Sequence, residues 1–492
     1  MKKISIILSI FIIFSACKKL EDLNKNTKDP STVTGESLFT GAQKRCFDEI
    51  VNTNVNYNIW RLIAQYWTET TYLDEVNYDL VTRTIPDDHW DRMYLNVLKN
   101  LDESKKVITA TTYGGDASPS IKTNKLAIIE VMEVYAWSNL VETFGDIPYA
   151  GALDGTLYSE ALNTDKPLPR YDNGLKIYKD LIARLNAAIA GMSGTESFGS
   201  ADNMYGGDVT SWKKFATSLK LRMGMLLADC DPTFAQTTVE AAAADVSNLI
   251  QDNTENAKLV YASSQPNTNP LYEDLVASGR LDFVAANTIV DTMNNWNDPR
   301  LPYYFTQVDT STTGTPKLAY VGGIYGESND YYSYSHEAPI FENPTFEGTI
   351  FDYAEVEFLL AEAAARGFSV AGSAASHYAA GVTASIEYWG GSAADAATYL
   401  AQPNIAYNAA NWKLSIGMQQ WIAYYNRGFE AWTEWRKLDY PLLQPGPDAL
   451  TAIPIRYTYP IEEQTLNGAN YKAASAAIGG DAVDTRLFWD KY

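Results

Sequence analysis

The chain has few of the residues that build metal centres and disulfide frameworks. Its 492 residues include only three His and three Cys. A zinc cluster or a disulfide scaffold needs several of either residue, so neither can be the basis of the fold. Basic residues are also outnumbered, with 38 Lys and Arg against 60 Asp and Glu and a formal charge of −22. Because this charge repels phosphate, the composition argues against a nucleic-acid partner.

The N-terminus carries the most specific local signal. Lys2-Lys3 precedes an uncharged run from Ile4 to Ala16. As a helix this run would span about 20 Å, which is too short for a hydrocarbon core of about 30 Å. Residues 1–16 are therefore predicted to be a signal peptide. The end of the run, Phe14-Ser15-Ala16-Cys17, resembles the lipobox of bacterial lipoproteins, with lipidation at Cys17; an ordinary secretory signal followed by a chance Cys is the alternative.

Two regions follow the predicted signal peptide. Residues 17–34 are polar, contain Pro30 and show no periodicity, so they are predicted to form an extended tether. Residues 35–492 contain no apolar run of 18 residues and are predicted to fold as one soluble body. The chain is 46% hydrophobic and contains 33 Tyr, 17 Phe and 12 Trp, which is ample apolar surface to offset the entropy of folding.

The body is predicted to be mainly α-helical, because apolar residues recur there at spacings of three and four. The predicted helices are 88–110, 121–143, 171–191, 210–228, 283–294, 353–366, 374–389 and 412–439. Many form adjacent pairs with short connections, as tetratricopeptide-type repeats do. The one strand predicted from alternation lies within 453–460. The aromatic stripe between Trp421 and Trp435 is interpreted as helix core rather than as a ligand platform.

Long polar segments separate the helices, at 145–169, 262–281 and 309–349. Loops of this length usually have a function. Tyr and Trp rings can stack on the C–H faces of sugars, while Asn, Asp and Arg pair with sugar hydroxyls, so aromatic loops suit a glycan binder. The candidate ligand-binding residues are Trp67, Tyr72, Trp90, Tyr320, Tyr325, Tyr331 and Tyr332. For Trp90, its spacing to Tyr94 leaves helix core as the alternative.

Other patterns favour structural interpretations. Ser211–Lys214 matches S-x-x-K but lacks the partner motifs of that enzyme class, so Ser211 is interpreted as a helix N-terminal residue. The three His show no ligand spacing. The Asn and Asp residues within 291–298 could hold calcium, or they could be a helix end followed by turns. Cys46 and Cys230 could pair or remain as buried thiols. No catalytic residue, metal ligand or cofactor is predicted.

Nine segments carry a resemblance to one family, and they occur in that family's order. The segments are Asn26–Thr34, Tyr135–Tyr149, Trp212–Met225, Asn297–Phe305, Tyr353–Gly367, Tyr378–Trp389, Gln419–Pro441, Ile453–Tyr471 and Gly480–Lys491. They resemble the hallmarks of the SusD/RagB-like outer-membrane nutrient-binding lipoproteins, and the last group resembles the SusD-like type 2 branch. Together they cover nearly the whole chain after the signal peptide.

The resemblance implies a mainly α fold of tetratricopeptide-like helix pairs, with a loop-rich second half and few short strands. It also implies a surface-exposed lipoprotein, anchored in the outer membrane through Cys17. Such a protein forms a lid over a SusC-like TonB-dependent transporter and captures an oligosaccharide, or sometimes a peptide, for uptake without cleaving it. Binding residues vary within the family, so none is carried over to this sequence.

Two other functions remain open on the sequence alone. A lipid-anchored, secreted α/α-toroid glycoside hydrolase or polysaccharide lyase would also be helical, acidic and rich in aromatic residues. It would need either two converging carboxylates about 5–10 Å apart or a Tyr/His/Arg site in a deep cleft. A scaffold that binds only protein through its helix pairs is the third possibility.

Overall fold

The structure is a computed structural model that describes residues 33–114, 119–151, 155–312 and 314–492. The predicted signal peptide, the lipidation site Cys17 and most of the predicted tether lie outside these residues. Among the described helices, none has the combination of length and apolar character that crossing a bilayer requires.

Helix pairs build the first half of the chain. The helices are α1 (Gly35–Val51), α2 (Trp60–Ile63), α3 (Ile85–Asp91), α4 (Lys99–Ala110), α5 (Ile121–Phe144), α6 (Gly174–Gly191), α7 (Val209–Leu226) and α8 (Pro232–Ala243). A π-helical segment, Arg92–Leu98, joins α3 to α4. Helices α4 to α8 each pack on the next one, and α1 packs on α4. This confirms the predicted mainly helical fold.

The second half combines helices with long irregular segments. Its helices are α9 (Pro270–Tyr272), α10 (Asn287–Asn295), α11 (Leu301–Tyr304), α12 (Tyr353–Ala365), α13 (Ala374–Tyr388), α14 (Ala393–Leu400), α15 (Trp412–Ala423), α16 (Gly428–Leu438), α17 (Ile461–Leu466) and α18 (Gly468–Ala477). Helices α12, α13 and α14 pack in sequence, and α15 packs on both α12 and α16.

Within the described ranges, six short strands pair as three antiparallel ribbons, β1 with β3, β2 with β6 and β4 with β5. The strands are β1 (Trp67–Glu69), β2 (Ala257–Leu259), β3 (Phe283–Ala285), β4 (Val308–Asp309), β5 (Leu318–Ala319) and β6 (Gly348–Phe351). In the first ribbon Thr68 lies opposite Val284. This ribbon joins a loop of the first half to the irregular part of the second half.

Side-chain caps fix where several long helices begin. Thr34, Asn173, Asp208, Asp231 and Asp352 each accept a hydrogen bond from the backbone N–H three residues further on. Such caps satisfy a donor that has no partner within the helix. Ser211 is the residue whose N–H bonds to Asp208, 2.6 Å away, which agrees with its interpretation as a residue of the helix N-terminus.

Three secondary-structure predictions were wrong. The predicted helix 283–294 begins as strand β3 and becomes helical only from Asn287. The predicted helix 412–439 is two helices, because the chain breaks at Tyr424–Arg427 and turns the Arg427 side chain into a buried ion cluster. The predicted strand within 453–460 has no strand partner. Its N–H groups bond instead to the end of α5, as in Tyr457 N–H to Thr143 O at 3.0 Å, and to a distant loop, as in Ile455 N–H to Val483 O at 2.9 Å. Arg456 rather than Ile455 is buried.

The aromatic stripe of α15 and α16 lies in the core, as predicted, with only Trp435 partly exposed. Cys46 and Cys230 are both free thiols in this structure. Cys46 is fully buried, and burial raises the pKa of its thiol far above the ordinary value. It therefore packs as a small apolar side chain.

A buried ion cluster joins the two halves. Arg222 of α7 bonds to Glu355 of α12, with Nη2 and Oε2 2.8 Å apart. Arg427 also contacts Glu355, and its Nη2 lies 2.9 Å from Oδ1 of Asp352. Burial by itself would raise the pKa of Glu355, but the charges of Arg222 and Arg427 outweigh burial and hold that pKa below its usual value. The carboxylate is therefore ionised and paired with two cations.

We predict that Glu355→Gln destabilises the fold strongly. The amide keeps the size of the side chain but leaves two buried guanidinium groups without their full countercharge, a change that costs about 3–5 kcal/mol. Denaturant unfolding measures the difference. Lys106→Met is the control, because Lys106 forms exposed pairs on α4 and such pairs contribute about 0–1 kcal/mol. Equal stability of the two variants would contradict the role given to the cluster.

Candidate functional site

Three of the predicted ligand-binding residues lie in the interior. Trp67 is 1% exposed, and its indole N–H donates to the hydroxyl of Tyr425 at 2.7 Å. Trp90 packs against the Phe144 ring, and the hydroxyl of Tyr325 donates to the Leu62 carbonyl at 2.7 Å. These side chains are packing residues in this structure. For Trp67 and Tyr325 the sequence did not reveal which way the ring points, whereas for Trp90 helix core was the alternative, and Trp90 is buried on α3.

The other four predicted residues lie at the surface. Tyr72 is 66% exposed and Tyr332 is 76% exposed, while Tyr320 and Tyr331 are half-buried. The Tyr331 ring stacks on His336 with centroids 3.9 Å apart, and its edge meets Tyr332 at 5.4 Å. Stacking on a neighbour fixes the Tyr331 ring in place, which leaves the Tyr332 ring presented to solvent.

Hydrogen bonds connect the loops that carry these rings. The N–H of Thr70 donates to Asp282 O at 2.9 Å, extending the ribbon of β1 and β3 toward Tyr72. The hydroxyl of Ser328 donates to Thr70 O, also at 2.9 Å. Further along, Ser335 N–H donates to Val321 O at 2.8 Å, next to Tyr320. The segments 70–72, 280–283 and 320–335 are therefore joined to one another.

A polar cleft lies beside this set of loops. It consists of two adjoining cavities of about 260 and 110 Å³, and Asn54 and Asp274 line both. The larger cavity is also lined by Lys44, Arg45, Asp48, Tyr57 and Arg92. The smaller one is also lined by Arg83, Arg280 and Asp282. Arg280 belongs to the segment 280–283, which the hydrogen bond from Thr70 N–H to Asp282 O joins to the loop that carries the exposed Tyr72 ring.

The side chains of the polar cleft are held in defined positions. The Arg92 guanidinium lies over the Tyr57 ring, 3.3 Å from its centroid, and Lys44 pairs with Asp48 at 2.6 Å. The Asn54 amide donates to Asp274 at 3.1 Å. Burial raises the pKa of Asp274 to about 6, against the opposing effect of that hydrogen bond. Asp274 is thus ionised at neutral pH, and it can accept hydrogen bonds from a ligand hydroxyl.

A buried carboxyl pair positions Arg83 at the polar cleft. Glu69, on β1, accepts a hydrogen bond from Val76 N–H at 3.1 Å. Burial and the adjacent Glu75 charge raise the pKa of Glu69 to about 10, so Glu69 is protonated at neutral pH. Glu75 pairs in turn with Arg83, whose Nη1 donates to Asn56 at 3.2 Å. The loop 70–84 is therefore tied at its base by a shared proton.

The remaining sequence candidates do not assemble into a catalytic or metal site. His89 is buried with Nδ1 2.8 Å from Glu49, and Asp298 is paired with Arg300 at 2.6 Å, so the 291–298 cluster is a helix end with an internal ion pair. Within the described ranges, no three His, Cys, Asp or Glu side chains converge as metal ligands. Glu69 and Glu75 share a hydrogen bond, so they lack the separation of about 5 Å or more that a glycosidase pair needs.

The sequence prediction missed the residues that line the polar cleft. Asn54, Tyr57, Arg83, Asp274 and Arg280 come from three separate parts of the chain. Each is an ordinary polar or aromatic residue by its sequence context. Only the position of Arg280 and Asp274, at or beside the predicted functional loop 262–281, pointed toward the polar cleft.

Comparison with known proteins places the chain among binding proteins of the outer membrane. A family model described as "Starch-binding associating with outer membrane", SusD-like_2, matches residues 26–460. A solved structure of a chitin-binding protein is 26% identical with a TM-score of 0.78, covering 93% of this chain and 100% of that one. No curated protein gives a significant match.

Two further solved structures show the same fold. A chitin-binding SusD homologue from Flavobacterium johnsoniae is 24% identical with a TM-score of 0.76, covering 92% of this chain and 98% of that one. A SusD-like protein from Bacteroides thetaiotaomicron is 22% identical, also with a TM-score of 0.76, covering 93% and 99%. At these identities the likeness is evidence of the fold alone.

We predict that Glu69→Gln flattens part of the pH dependence of stability. The pKa of Glu69 in the folded chain, about 10, is above its value in the unfolded chain. The wild type therefore loses stability as pH rises from about 5 to about 9. Glu69 contributes at most about 1.4 kcal/mol per pH unit to this loss. The glutamine stays neutral. Thermal midpoints across this range measure the slope.

Glu387→Gln is the matched control, because Glu387 is exposed on α13. It should keep the wild-type slope. Parallel curves for wild type and Glu69→Gln would contradict the assignment of a shared proton at the base of the loop 70–84.

Proposed function

The chain belongs to the SusD-like family, whose model spans residues 26–460, and on this premise we propose that it is a cell-surface lipoprotein that binds an oligosaccharide in the polar cleft and passes it to a SusC-like TonB-dependent transporter. The family description supports the coarser statement, a carbohydrate-binding protein associated with the outer membrane. The single observation that carries the finer proposal is the polar cleft, which Tyr57, Asn54, Asp274 and Arg280 line and whose wall is joined by a hydrogen bond to the loop of the exposed Tyr72 ring.

The chemistry of the polar cleft suits a glycan. The exposed Tyr72 ring and the face of Tyr57 that Arg92 leaves uncovered offer surfaces for sugar C–H faces. Asn54 and Asp274 line both cavities and offer an amide and a carboxylate, and Arg280 offers planar donors to hydroxyl or carbonyl oxygens. Positive and negative side chains are mixed along the polar cleft, which fits a polar ligand without a large net charge. The surface rings Tyr320, Tyr331 and Tyr332 would extend this contact for a longer chain.

Among glycans, we propose an N-acetylated sugar as the first ligand to test. Two of the similar structures are named as chitin-binding, and the family description names starch. An acetamido group carries an N–H donor and a carbonyl acceptor, which are complementary to the Asp274 carboxylate and the Arg280 guanidinium. Starch lacks this group, so the two glycans separate the contribution of the acetamido group from that of the ring hydroxyls.

Delivery to a transporter belongs to the same proposal. Lipidation of Cys17, outside the described residues, would tether the body to the membrane by the predicted segment 17–34. A tether of this kind holds the binding surface at high local concentration beside a membrane partner. We propose that the protein releases its ligand unaltered, in keeping with the family description, which names binding and no reaction.

We predict that Tyr57→Ala and Arg280→Ala weaken binding of chitin oligosaccharides. Loss of a ring contact of about 0.5–1.5 kcal/mol corresponds to about a 2- to 12-fold rise in Kd. Isothermal titration calorimetry on the purified full body measures the affinity. Tyr158→Ala is the matched control, because Tyr158 is an exposed tyrosine that does not line the polar cleft, and it should leave Kd unchanged.

The same samples distinguish the alternatives. Chromatography of the glycan after long incubation should recover it intact, whereas shortened products would overturn the non-catalytic proposal in favour of a hydrolase or lyase. Co-purification of a large outer-membrane partner with no affinity for any glycan or peptide in the panel would favour the protein-binding scaffold instead.

A further inference from the structure

A second cavity lies in the loop-rich half, between residues 296 and 419. It has a volume of about 310 Å³ and is bounded by the end of α10, by α13, by α15 and by the segment 403–411 that leads into α15. It shares no lining residue with the polar cleft. Its size falls at the lower end of small-ligand pockets, which run from about 300 to 1,000 Å³.

The lining of this second cavity is aromatic and amide-rich. Trp296 and Tyr378 supply rings, and Asn404, Asn411 and Gln419 supply amides. Among the described residues that line it, there is no Lys, Arg, His, Asp or Glu. The polar cleft, by contrast, is lined by Lys44, Arg92, Asp274 and other charged side chains. The two sites therefore differ in the kind of ligand that each can accept.

Hydrogen bonds hold the walls of the second cavity in place. Gln402 Nε2 donates to Trp296 O at 3.0 Å, and the hydroxyl of Tyr378 donates to Ile405 O. Gln419 donates to the Tyr399 hydroxyl at 2.9 Å and accepts from Arg300 at 2.8 Å. The cavity is thus built from fixed segments on three sides.

Polar groups at the second cavity remain open to a ligand. Within the part of the chain that the structure describes, the indole N–H of Trp296 has no hydrogen-bond partner. The same holds for the side-chain amides of Asn404 and Asn411, which are exposed. An indole N–H, two amides and an aromatic surface around one cavity supply donors, acceptors and an apolar face together. This is the combination that a sugar ring pairs with.

We propose that this cavity is a second glycan site, which takes a neutral pyranose ring. A charged ligand would lose its hydration without gaining a countercharge, and a purely apolar ligand would leave the amides without partners. A neutral ring with hydroxyl groups avoids both costs. The proposal rests on the proposed glycan-binding function, and it adds a site that shares no lining residue with the polar cleft and has a different chemical preference.

Calorimetric titration with a short neutral chitin or starch oligosaccharide tests the proposal. The wild type should bind two ligands per chain, and Trp296→Ala should bind one. The double variant Tyr57→Ala/Arg280→Ala should retain the other site. Because the second cavity lacks charge, the affinity that survives in this double variant should stay the same when salt rises from about 50 to about 500 mM.

Two further variants guard against effects on folding. Trp412→Ala removes a partly buried tryptophan from the start of α15 without touching the cavity lining, and it should keep two sites. Asn404→Arg changes an exposed residue and places a long side chain at the mouth of the cavity, so it should mimic Trp296→Ala with an unchanged thermal midpoint.

The outcomes separate this inference from the proposed function. Binding of one ligand that the polar-cleft double variant abolishes, with Trp296→Ala and Asn404→Arg indistinguishable from wild type, overturns the second site and leaves the function in place. Absence of any glycan binding overturns both. Loss of one site of two in Trp296→Ala and Asn404→Arg supports the second site.

Discussion

The buried ion cluster of Arg222, Glu355, Arg427 and Asp352 is the constraint on which the rest of the structure depends. It joins α7 of the helix-pair half to α12 and α16 of the loop-rich half, and none of its members is exposed to solvent. Buried charges of this kind contribute little net stability when complete, but they cost several kcal/mol when one partner is missing. The cluster therefore contributes more to the specificity of the packing between the two halves than to the free energy of that packing.

Both proposed sites depend on loops that this arrangement holds together. The polar cleft is formed where the ribbon of β1 and β3 brings the end of α1 and the loop 70–84 against the segment 266–283. The second cavity is formed where the segment 403–411 closes over α13 and α15. At the polar cleft the irregular backbone is fixed by this short ribbon and by hydrogen bonds such as that from Ser328 Oγ to Thr70 O, and at the second cavity by side-chain hydrogen bonds such as that from Gln402 to Trp296 O. This explains how a helical fold with few strands can carry long, ordered binding loops.

The helices could be read from the sequence because their periodicity is local. Residues 121–143 and 353–366 alternate apolar and polar positions at helical spacing, and both helices form close to those bounds. The break in the helix at Tyr424–Arg427 could not be predicted from local sequence. It depends on the ion pair between Arg427 and Glu355, a residue 72 positions earlier. The segment 453–460 was misassigned for a related reason, since its bonding partners are a helix end and a distant loop.

The sites were less predictable than the fold. Trp67 and Tyr72 stand five residues apart in an aromatic loop, yet one is in the core and the other is exposed, because the short strand β1 turns the first inward. The residues of the polar cleft, such as Asn54 and Asp274, are 220 positions apart and meet only through the fold. Aromatic composition indicated a glycan binder, but the direction in which each ring points is a property of tertiary packing.

Two binding sites that contact the same glycan polymer would lengthen the residence time of that polymer on the protein. When a glycan dissociates from one site, the other site keeps the free end nearby at an effective concentration in the millimolar range. Rebinding is then faster than complete dissociation. Glycan fragments too short to reach both sites are released after a single dissociation. A protein with two such sites would select glycans by length as well as by chemistry. Long glycans would stay bound until a membrane partner took them up from one end.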